Sequence, residues 1–299
     1  MRALVIGILL SAALAAAYLS QHATEQPSAS PAPVMGMLAD AQRAAARVPV
    51  AAERPSDADE MAIGQRLLAT HRTDASTPRA AYVATVGARV AAGAHRRMPY
   101  SFHLIEDDQF VNAYAVPGGA VYIGSGLLVL MHTEDELAAV LAHEVEHIDH
   151  YHCIDRYAQA RAAGQIPVLG ALAQLPVALF EAGYAKTQEL EADADGTRLT
   201  ARAGYAPLAI VALLRAMEER RGGRARRTSR PASPVDEVLS VPGDALHDYF
   251  RSHPPEAERI AHITDVVTSD RLVGTQALTP LSLPPRTPAP TAPSGQDGP

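Results

Sequence analysis

The sequence is poor in the residues that hold many exported domains together. It contains one cysteine, Cys153, and no tryptophan, and aromatic residues make up 5% of its 299 residues. A single cysteine excludes an intramolecular disulfide. The core must therefore be built from Ala, Leu, Val and Ile, and a hydrophobic content of 47% is enough to predict a folded domain. We expect Cys153 to be a small buried apolar residue rather than a metal ligand.

The chain also lacks an excess of positive charge. Its net charge is −7, which argues against a protein that binds nucleic acid through its overall charge, so we expect no nucleic-acid partner. The stretch 220–230 is a local exception because it is rich in arginine. It could contact an anionic surface or a substrate, but its Gly and Ser residues favour a solvated loop.

Residues 1–20 have the pattern of a secretory signal peptide. Arg2 precedes the uncharged apolar run Ala3–Leu19, and Ala15–Ala17 supplies small residues for cleavage. The run is at the lower limit of length for crossing a bilayer, so the pattern favours a cleaved signal over an N-terminal anchor. No cysteine follows the run, which disfavours a lipoprotein anchor. Both remaining alternatives predict export, to a bacterial periplasm, with membrane association if the segment is retained.

Composition divides the rest of the chain into three parts. Residues 21–55 are rich in Ala, Pro and Ser, and residues 276–299 are rich in Pro, Thr and Ala. Such segments bury too little apolar surface to offset the entropy lost on ordering. We predict a disordered linker and a disordered Pro-rich tail, with residues 56–275 forming the folded domain.

The first part of this domain contains both helical and strand patterns. Asp57–His71 and Ala80–Ala94 have helical periodicity, and the alternation in Tyr100–Glu106 predicts a strand. Asn112–Leu128 is rich in strand-forming residues and is interrupted by Pro117-Gly118-Gly119, which predicts a turn between two strands. We therefore expect a mostly helical α+β fold with a small antiparallel β-sheet.

The second part predicts more helices. Thr187 has the properties of an N-cap for a helix over Gln188–Ala203, and Pro207 opens another helix that should stop at Gly222-Gly223. The apolar stretch Ile166–Ala182 lies before them. It could be a re-entrant membrane segment, but its prolines, glycines and acidic residue favour a buried helical hairpin or a mobile flap over the site.

The most informative pattern is the H-E-x-x-H motif from His143 to His147. Two histidines four residues apart on a helix project from one face, so both imidazoles can reach one zinc ion. Glu144 would lie beside the metal, where it can take a proton from a zinc-bound water. The motif therefore predicts a zinc hydrolase.

The motif is informative only if it lies on a helix. No Gly or Pro occurs from Thr133 to Ala163, and Thr133 followed by Glu136 predicts a capping box at the helix start. Leucine, valine and isoleucine residues then recur at helical spacing. The alternative is an amphipathic core helix with solvated histidines.

A catalytic zinc ion needs a third protein ligand and one open position. The acidic stretch Glu189–Asp193 offers candidates, since Glu189 and Asp193 are four residues apart and share a helix face. One of them can bind the metal while the other orients a histidine ligand. Glu191 should point away from the pair, towards solvent.

Four blocks, taken in order, resemble the metallopeptidases of family forty-eight, a gluzincin family. The blocks are Asn112–Gly119 (N-A-F-A-x-P-G-G in the family), His143–His147 (H-E-x-x-H), Glu189–Asp193 (E-x-x-x-D) and Ser252–Ile260 (S-H-P-x-x-x-x-R-I). Together they cover nearly the whole predicted domain. The resemblance implies a zincin-type metalloprotease domain whose small sheet edges the active-site cleft, in a compact exported member of the family.

The resemblance also implies a role for each metal-site residue. His143, His147 and Glu189 would bind one Zn²⁺ per chain. Glu144 would act as the general base, and Asp193 would support the metal ligands.

Two further parts of the site are implied by the same resemblance. His253 would lie near the metal, where it would either stabilise the oxyanion or act as a switch ligand that blocks the water. Asn112, Ala113 and Tyr114 would form a strand at the cleft edge, where the backbone can pair with an extended polypeptide substrate.

The sequence departs from the family pattern near the motif. Glu146 is charged where the family often has an uncharged residue, and we expect it to face outward. His150 and His152 extend the histidine cluster. We expect them to be surface residues that take no part in the site.

The implied function is zinc-dependent endopeptidase activity on misfolded or unassembled envelope proteins, with membrane or outer-membrane assembly factors as candidate partners. Two alternatives stay open. One is a self-inhibited quality-control factor or periplasmic chaperone that keeps the same zinc site, and the other is a non-enzymatic chaperone with the same fold.

Overall fold

The computed structural model describes residues 54–70, 73–162, 178–181, 183–227, 253, 257–274 and 278–285. The predicted signal segment, nearly all of the predicted linker and most of the apolar stretch Ile166–Ala182 lie outside these residues. Over the ranges given, no helix combines the length and the apolar character that a membrane crossing requires.

The described residues form nine helices and three short strands, which confirms the predicted α+β class. The helices are α1 (Asp57–Thr70), α2 (Pro78–Ala91), α3 (Ser125–Leu128), α4 (Glu134–Asp149), α5 (His152–Ala162), α6 (Ala178–Glu181), α7 (Lys186–Arg202), α8 (Ala209–Arg227) and α9 (Ala257–Ser269). The strands are β1 (Ser101–Ile105), β2 (Ala113–Ala115) and β3 (Ala120–Gly124).

The three strands form one mixed sheet with β3 in the centre. The predicted turn at Pro117–Gly119 joins β2 to β3 as an antiparallel pair, and Gly118 and Gly119 take left-handed φ values of 92° and 104° there. The prediction of a wholly antiparallel sheet is wrong, because β1 runs parallel to β3. Alternation of polar and apolar residues identifies β1 as a strand but does not specify the direction of its partner.

Helix α4, which carries the H-E-x-x-H motif, lies at the centre of the domain. The predicted capping box is present: the Glu136 amide donates to the Thr133 hydroxyl at 3.2 Å, and the Thr133 amide donates to the Glu136 carboxylate at 3.2 Å. The helix packs against α2, α7, α8 and the sheet, so almost every residue along it is buried. The core around it is built largely from Ala, Val, Leu and Ile, as the composition predicts.

A glycine brings α7 close to the motif. Gly196 faces α4, and a Cβ atom added there would lie 3.0 Å from the Cα of His143. Such an approach excludes any larger residue unless the helices separate. The contact holds the first two turns of α7, with Glu189 and Asp193, against the face of α4 that carries the histidines.

Several helix boundaries differ from their predictions by a few residues, and two of them have a physical reason. Helix α7 starts at Lys186, so Thr187 lies inside it, and the Ala185 amide donates to the Gln188 side chain at 3.1 Å in place of a threonine cap. Helix α8 continues through Gly222-Gly223 to Arg227. Glycine inside a helix costs about 1 kcal/mol relative to alanine, which weakens a helix without ending it. The arginine-rich stretch therefore begins within α8.

The structure contradicts part of the predicted disordered tail. Pro280 forms a β-bridge with Thr133, and the Glu134 amide donates to the carbonyl of Thr279 at 2.8 Å. Leu281 and Leu283 pack against the core. A proline-rich segment can take this arrangement, because the contacts that hold it are backbone hydrogen bonds from non-proline residues and the packing of two leucines. The folded domain thus includes residues 278–285, beyond the predicted end at 275.

Candidate metal centre

Three side chains from two helices meet beside the motif. The Nε2 atoms of His143 and His147 on α4 lie 3.2 Å apart. The carboxylate of Glu189, from the first turn of α7, places Oε2 at 3.5 Å from His143 Nε2 and Oε1 at 3.5 Å from His147 Nε2. All three side chains are buried. The structure therefore brings together the three residues for which metal binding is predicted.

His253 joins this group from a distant part of the sequence. Its Nδ1 atom lies 3.0 Å from Glu189 Oε2, and its Nε2 atom lies 3.5 Å from Glu144 Oε1. The candidate ligand atoms of His143, His147, Glu189 and His253 all lie within 4.8 Å of one another. The rest of its Ser-His-Pro-Pro block lies outside the described residues.

The chemistry of this group fits a zinc ion. Two imidazoles and a carboxylate are a known donor set for catalytic zinc. Among the described residues, the buried atom Glu189 Oε1 has no hydrogen-bond donor, and neither has Glu144 Oε2. Buried polar atoms are normally satisfied. A cation held between His143, His147 and Glu189 would satisfy the first of these atoms.

Asp193 and Arg259 support the His143 side of the group. The Nδ1 atom of His143 lies 3.1 Å from Asp193 Oδ1. The buried guanidinium of Arg259, on α9, donates to both Asp193 oxygens at 2.6 and 2.7 Å and lies 3.3 Å from Glu189. Asp193 thus lies where a supporting residue is predicted. Arg259 belongs to the block Ser252–Ile260, but the sequence alone predicts no role for it, although two buried carboxylates require a nearby cation.

The carboxylates also control protonation of the metal-free site. Burial alone would lower the pKa of His143, but Asp193 and Glu189 raise that pKa to about 10. Burial tends to raise the pKa of Glu189, but the charges of His253, His143 and Arg259 hold that pKa well below its usual value. A metal ion would therefore replace a proton on His143.

Glu144 lies beside this group without joining the three-residue cluster. It is almost fully buried, and this burial raises the pKa of its carboxyl group. A carboxylate with a raised pKa is a better proton acceptor near neutral pH than an exposed one.

The His147 side has a different set of neighbours, and here a prediction is wrong. His152 is buried rather than on the surface, and its Nδ1 atom lies 2.9 Å from His147 Nδ1. The ring of Tyr184 stacks on His147 with centroids 4.0 Å apart. Glu191 is half-exposed, as expected, but its Oε2 atom lies 3.2 Å from His152 Nε2. Helical spacing does not reveal contacts that form after a chain reversal.

The expectation that Glu146 faces outward is also wrong. Its side chain is 1% exposed and lies 3.7 Å from His150 and 4.0 Å from Arg202. Because α4 is packed on nearly all sides, its outward face also contacts protein. Burial and the nearby Asp149 and Asp195 carboxylates raise the pKa of Glu146 to about 7. His150 itself is partly exposed and bonds Asp195 at 2.9 Å.

The sequence of this chain matches a known protein family. Residues 77–267, well over half of the chain, match the model of Peptidase family M48. The chain belongs to this family. The resemblance seen in the four sequence blocks is therefore confirmed.

Relatives in this family include a beta-barrel assembly-enhancing protease of Yersinia pestis. It is 30% identical over 50% of this chain and 34% of that protein. The mitochondrial metalloendopeptidase OMA1 of Schizosaccharomyces pombe is 32% identical over 53% of this chain and 48% of its own length. A protease HtpX homolog of Campylobacter hominis is 26% identical over 60% and 73%. The chain spans less than half of the first two relatives.

The predicted substrate strand lies at an edge of the sheet in this M48 domain. Ala113 and Tyr114 belong to β2, the outer neighbour of β3, and β2 packs against α4. Asn112 precedes the strand, and its side-chain oxygen accepts from the Ala113 amide at 2.9 Å. Helix α6 also contacts β2. Pairing of this strand with a substrate stays a prediction.

Proposed function

We propose that this protein is a zinc-dependent endopeptidase of the M48 family. The observation that carries the proposal is the buried group of His143, His147 and Glu189, with Glu144 beside it. These are the donors and the base that zinc-assisted hydrolysis of an amide requires. When bound, zinc would polarise the carbonyl of the substrate and lower the pKa of a water to ~7.

The residues of the chain would divide the reaction between them. His143, His147 and Glu189 would hold the ion. The Glu144 carboxylate accepts a proton from the attacking water and passes it to the leaving amine. Asp193 keeps the His143 ring oriented, since its carboxylate lies 3.1 Å from Nδ1, the nitrogen that would not bind the metal.

We further propose that the protein is exported to the periplasm and cleaves misfolded or unassembled envelope proteins. The apolar N-terminal run supports export. The similarity to a beta-barrel assembly-enhancing protease supports a role near outer-membrane assembly factors. The position of β2 as an outer strand of the sheet supports an extended polypeptide as the substrate, because a peptide can bind to a sheet by adding a strand at its edge.

The position of His253 favours a second candidate, a self-inhibited form of the same enzyme. Its ring lies among the metal-binding atoms, 3.0 Å from Glu189. A histidine there can take the position that the water needs. If it does, His253→Ala will increase cleavage, whereas a residue that stabilises the oxyanion will lower cleavage when removed.

The proposed function is tested by the Glu144→Gln variant. We expect it to retain one zinc per chain, measured by metal analysis, and to lose digestion of casein, as the wild-type protein should lose it when a chelator is added. Glu146→Gln is the matched control, because the same change is made two residues away on a side chain outside the metal group. Full casein digestion by Glu144→Gln would contradict the mechanism.

A further inference from the structure

His147 differs from His143 in the partner of its second ring nitrogen. Nδ1 of His143 faces a carboxylate, whereas Nδ1 of His147 faces another imidazole, that of His152, at 2.9 Å. His152 in turn brings Nε2 to 3.2 Å from the Glu191 carboxylate. The three side chains thus form a line that runs from the buried metal group to the surface, where Glu191 is 44% exposed.

We propose that His152 and Glu191 form a hydrogen-bonded relay that positions the zinc ligand His147. The proposal rests on the zinc site of the proposed function. His152 is a positioning residue in this account, since its contacts reach the metal through His147.

The direction of each hydrogen bond follows from the chemistry of imidazole. The Nε2 atoms of His147 and His143 face each other across the metal group, so His147 binds through Nε2. A neutral imidazole that ligates through Nε2 carries its proton on Nδ1. His147 must then donate to His152 Nδ1. His152 keeps its proton on Nε2 and donates it to Glu191.

This assignment excludes an alternative use of the same residues. His150, His152 and Glu191 could by spacing form a second metal site. A metal on His152 Nε2 would move the remaining proton to Nδ1, which would then point at the protonated Nδ1 of His147. Two donors 2.9 Å apart repel each other. The relay and a second metal on His152 are therefore incompatible while His147 binds zinc.

The chain reverses direction between α4 and α5, and this reversal places His152 next to His147. Tyr151, between α4 and α5, has a left-handed φ of 62°, which costs about 1–2 kcal/mol for a residue with a Cβ atom. Its ring lies between two guanidinium groups, those of Arg54 at 4.0 Å and Arg96 at 3.9 Å. Such cation–π contacts offset part of that cost. The turn points His152 back towards His147.

The proposal is tested by zinc affinity, measured in competition with a chromogenic chelator. We expect His152→Leu to weaken zinc binding about 10-fold or more, the range found for partners of metal ligands. His152→Asn keeps an acceptor close to the position of Nδ1 and should retain most of the affinity. His132→Ala, an exposed histidine outside the site, is the control. Equal losses in the Leu and Asn variants, or no loss in either, would overturn the proposal.

Glu191→Ala gives a second test that does not depend on a buried substitution. We expect a several-fold loss of zinc affinity and an unchanged melting temperature of the metal-free protein. Long-range ¹H–¹⁵N spectra of the zinc-loaded protein should show His152 protonated on Nε2 alone. Protonation on Nδ1, or a second zinc equivalent that Glu191→Ala removes, would overturn the relay. Wild-type protein that takes up no zinc would instead contradict the proposed function itself.

Discussion

The two histidines of the motif lie one helical turn apart, yet the protein supports them in different ways. Next to His143 is a buried ion pair, in which Arg259 donates two short hydrogen bonds to Asp193. His147 has the support of His152, which ends on a half-exposed carboxylate, Glu191. The ion pair next to His143 lies entirely within the core, so a change in either of its residues alters the core. The residues that support His147 reach the surface at Glu191, which can be changed without altering the core.

Because the two supports differ, changes in them should have different effects on folding stability and on metal binding. A buried ion pair contributes little net stability while intact, but loss of one member leaves an uncompensated charge. The charge at the end of the His147 support, the Glu191 carboxylate, is half-exposed, so water can solvate it when its partner is removed. We therefore expect changes on the His143 side to affect folding first, and changes on the His147 side to affect zinc affinity first.

The largest effect is expected from Arg259→Met. This change removes the guanidinium that pairs with the buried Asp193 and Glu189 carboxylates, which should lower the free energy of unfolding by about 3–5 kcal/mol. Urea denaturation of the metal-free protein measures it. Arg198→Met is the control, since Arg198 pairs with the partly exposed Asp195 and Asp270 and should cost less than about 1 kcal/mol. Similar losses in the two variants would remove the distinction.

The next largest effect on the free energy of unfolding is expected from a change in α4, the helix that carries both histidines. Asp135 is fully buried at the start of α4, and its carboxylate accepts from the amides of Ala206 and Thr279 at 2.8 and 2.9 Å. Asp135→Ala leaves both amides without this acceptor, at a cost of about 1–3 kcal/mol in unfolding free energy. Asp135 is on the same helix as both histidines but outside the metal group, so zinc affinity should not depend on this change once the protein is folded. A zinc-specific defect would contradict that expectation.

Replacing a carboxylate by an amide next to each histidine allows a direct comparison of the two supports. Asp193→Asn should weaken zinc binding about 10-fold, because a neutral amide is a poorer acceptor for the His143 ring than a carboxylate. Glu191→Gln keeps a carbonyl acceptor at a half-exposed position, and we expect a loss of about 3-fold or less. Chelator competition on both variants measures the ratio. A larger loss for Glu191→Gln would reverse the comparison.

The smallest effect concerns the surface next to the relay. The hydrogen bond with His150, assisted by Arg198, lowers the pKa of Asp195 to about 2, and Asp195 raises the pKa of His150. Because the folded-state pKa of His150 is raised, the pair stabilises fully below about 6.5, the ordinary histidine value, and less as pH rises through the raised pKa. Asp195→Asn should thus cost up to about 1 kcal/mol at pH 5 and less at pH 9. An equal cost at both pH values would contradict this.

The sequence predicts the His143 side better than the His147 side, and the reason is physical. The i, i+4 spacing places His143 and His147 on one face of α4, and Glu189 and Asp193 on one face of α7. The family resemblance, rather than the spacing, implies that these two faces meet. His152 reaches His147 through a left-handed residue, Tyr151, whose identity gives no hint of that conformation. Tertiary context of this kind is not readable from spacing.

Other differences have the same origin. Glu146 was expected on an outward face, but a helix at the centre of a domain has no such face. The packed part of the tail depends on backbone pairing with Thr133, which composition does not report. Helix α4, its capping box and the antiparallel pair of β2 and β3 follow from local patterns, and these predictions are confirmed.

The most direct test of the account is anomalous diffraction at the zinc absorption edge from crystals of the zinc-loaded protein. We predict one strong peak at about 2.0–2.2 Å from His143 Nε2, His147 Nε2 and a carboxylate oxygen of Glu189. A peak on His150, His152 and Glu191 instead, or no peak at the first three residues, would contradict the account.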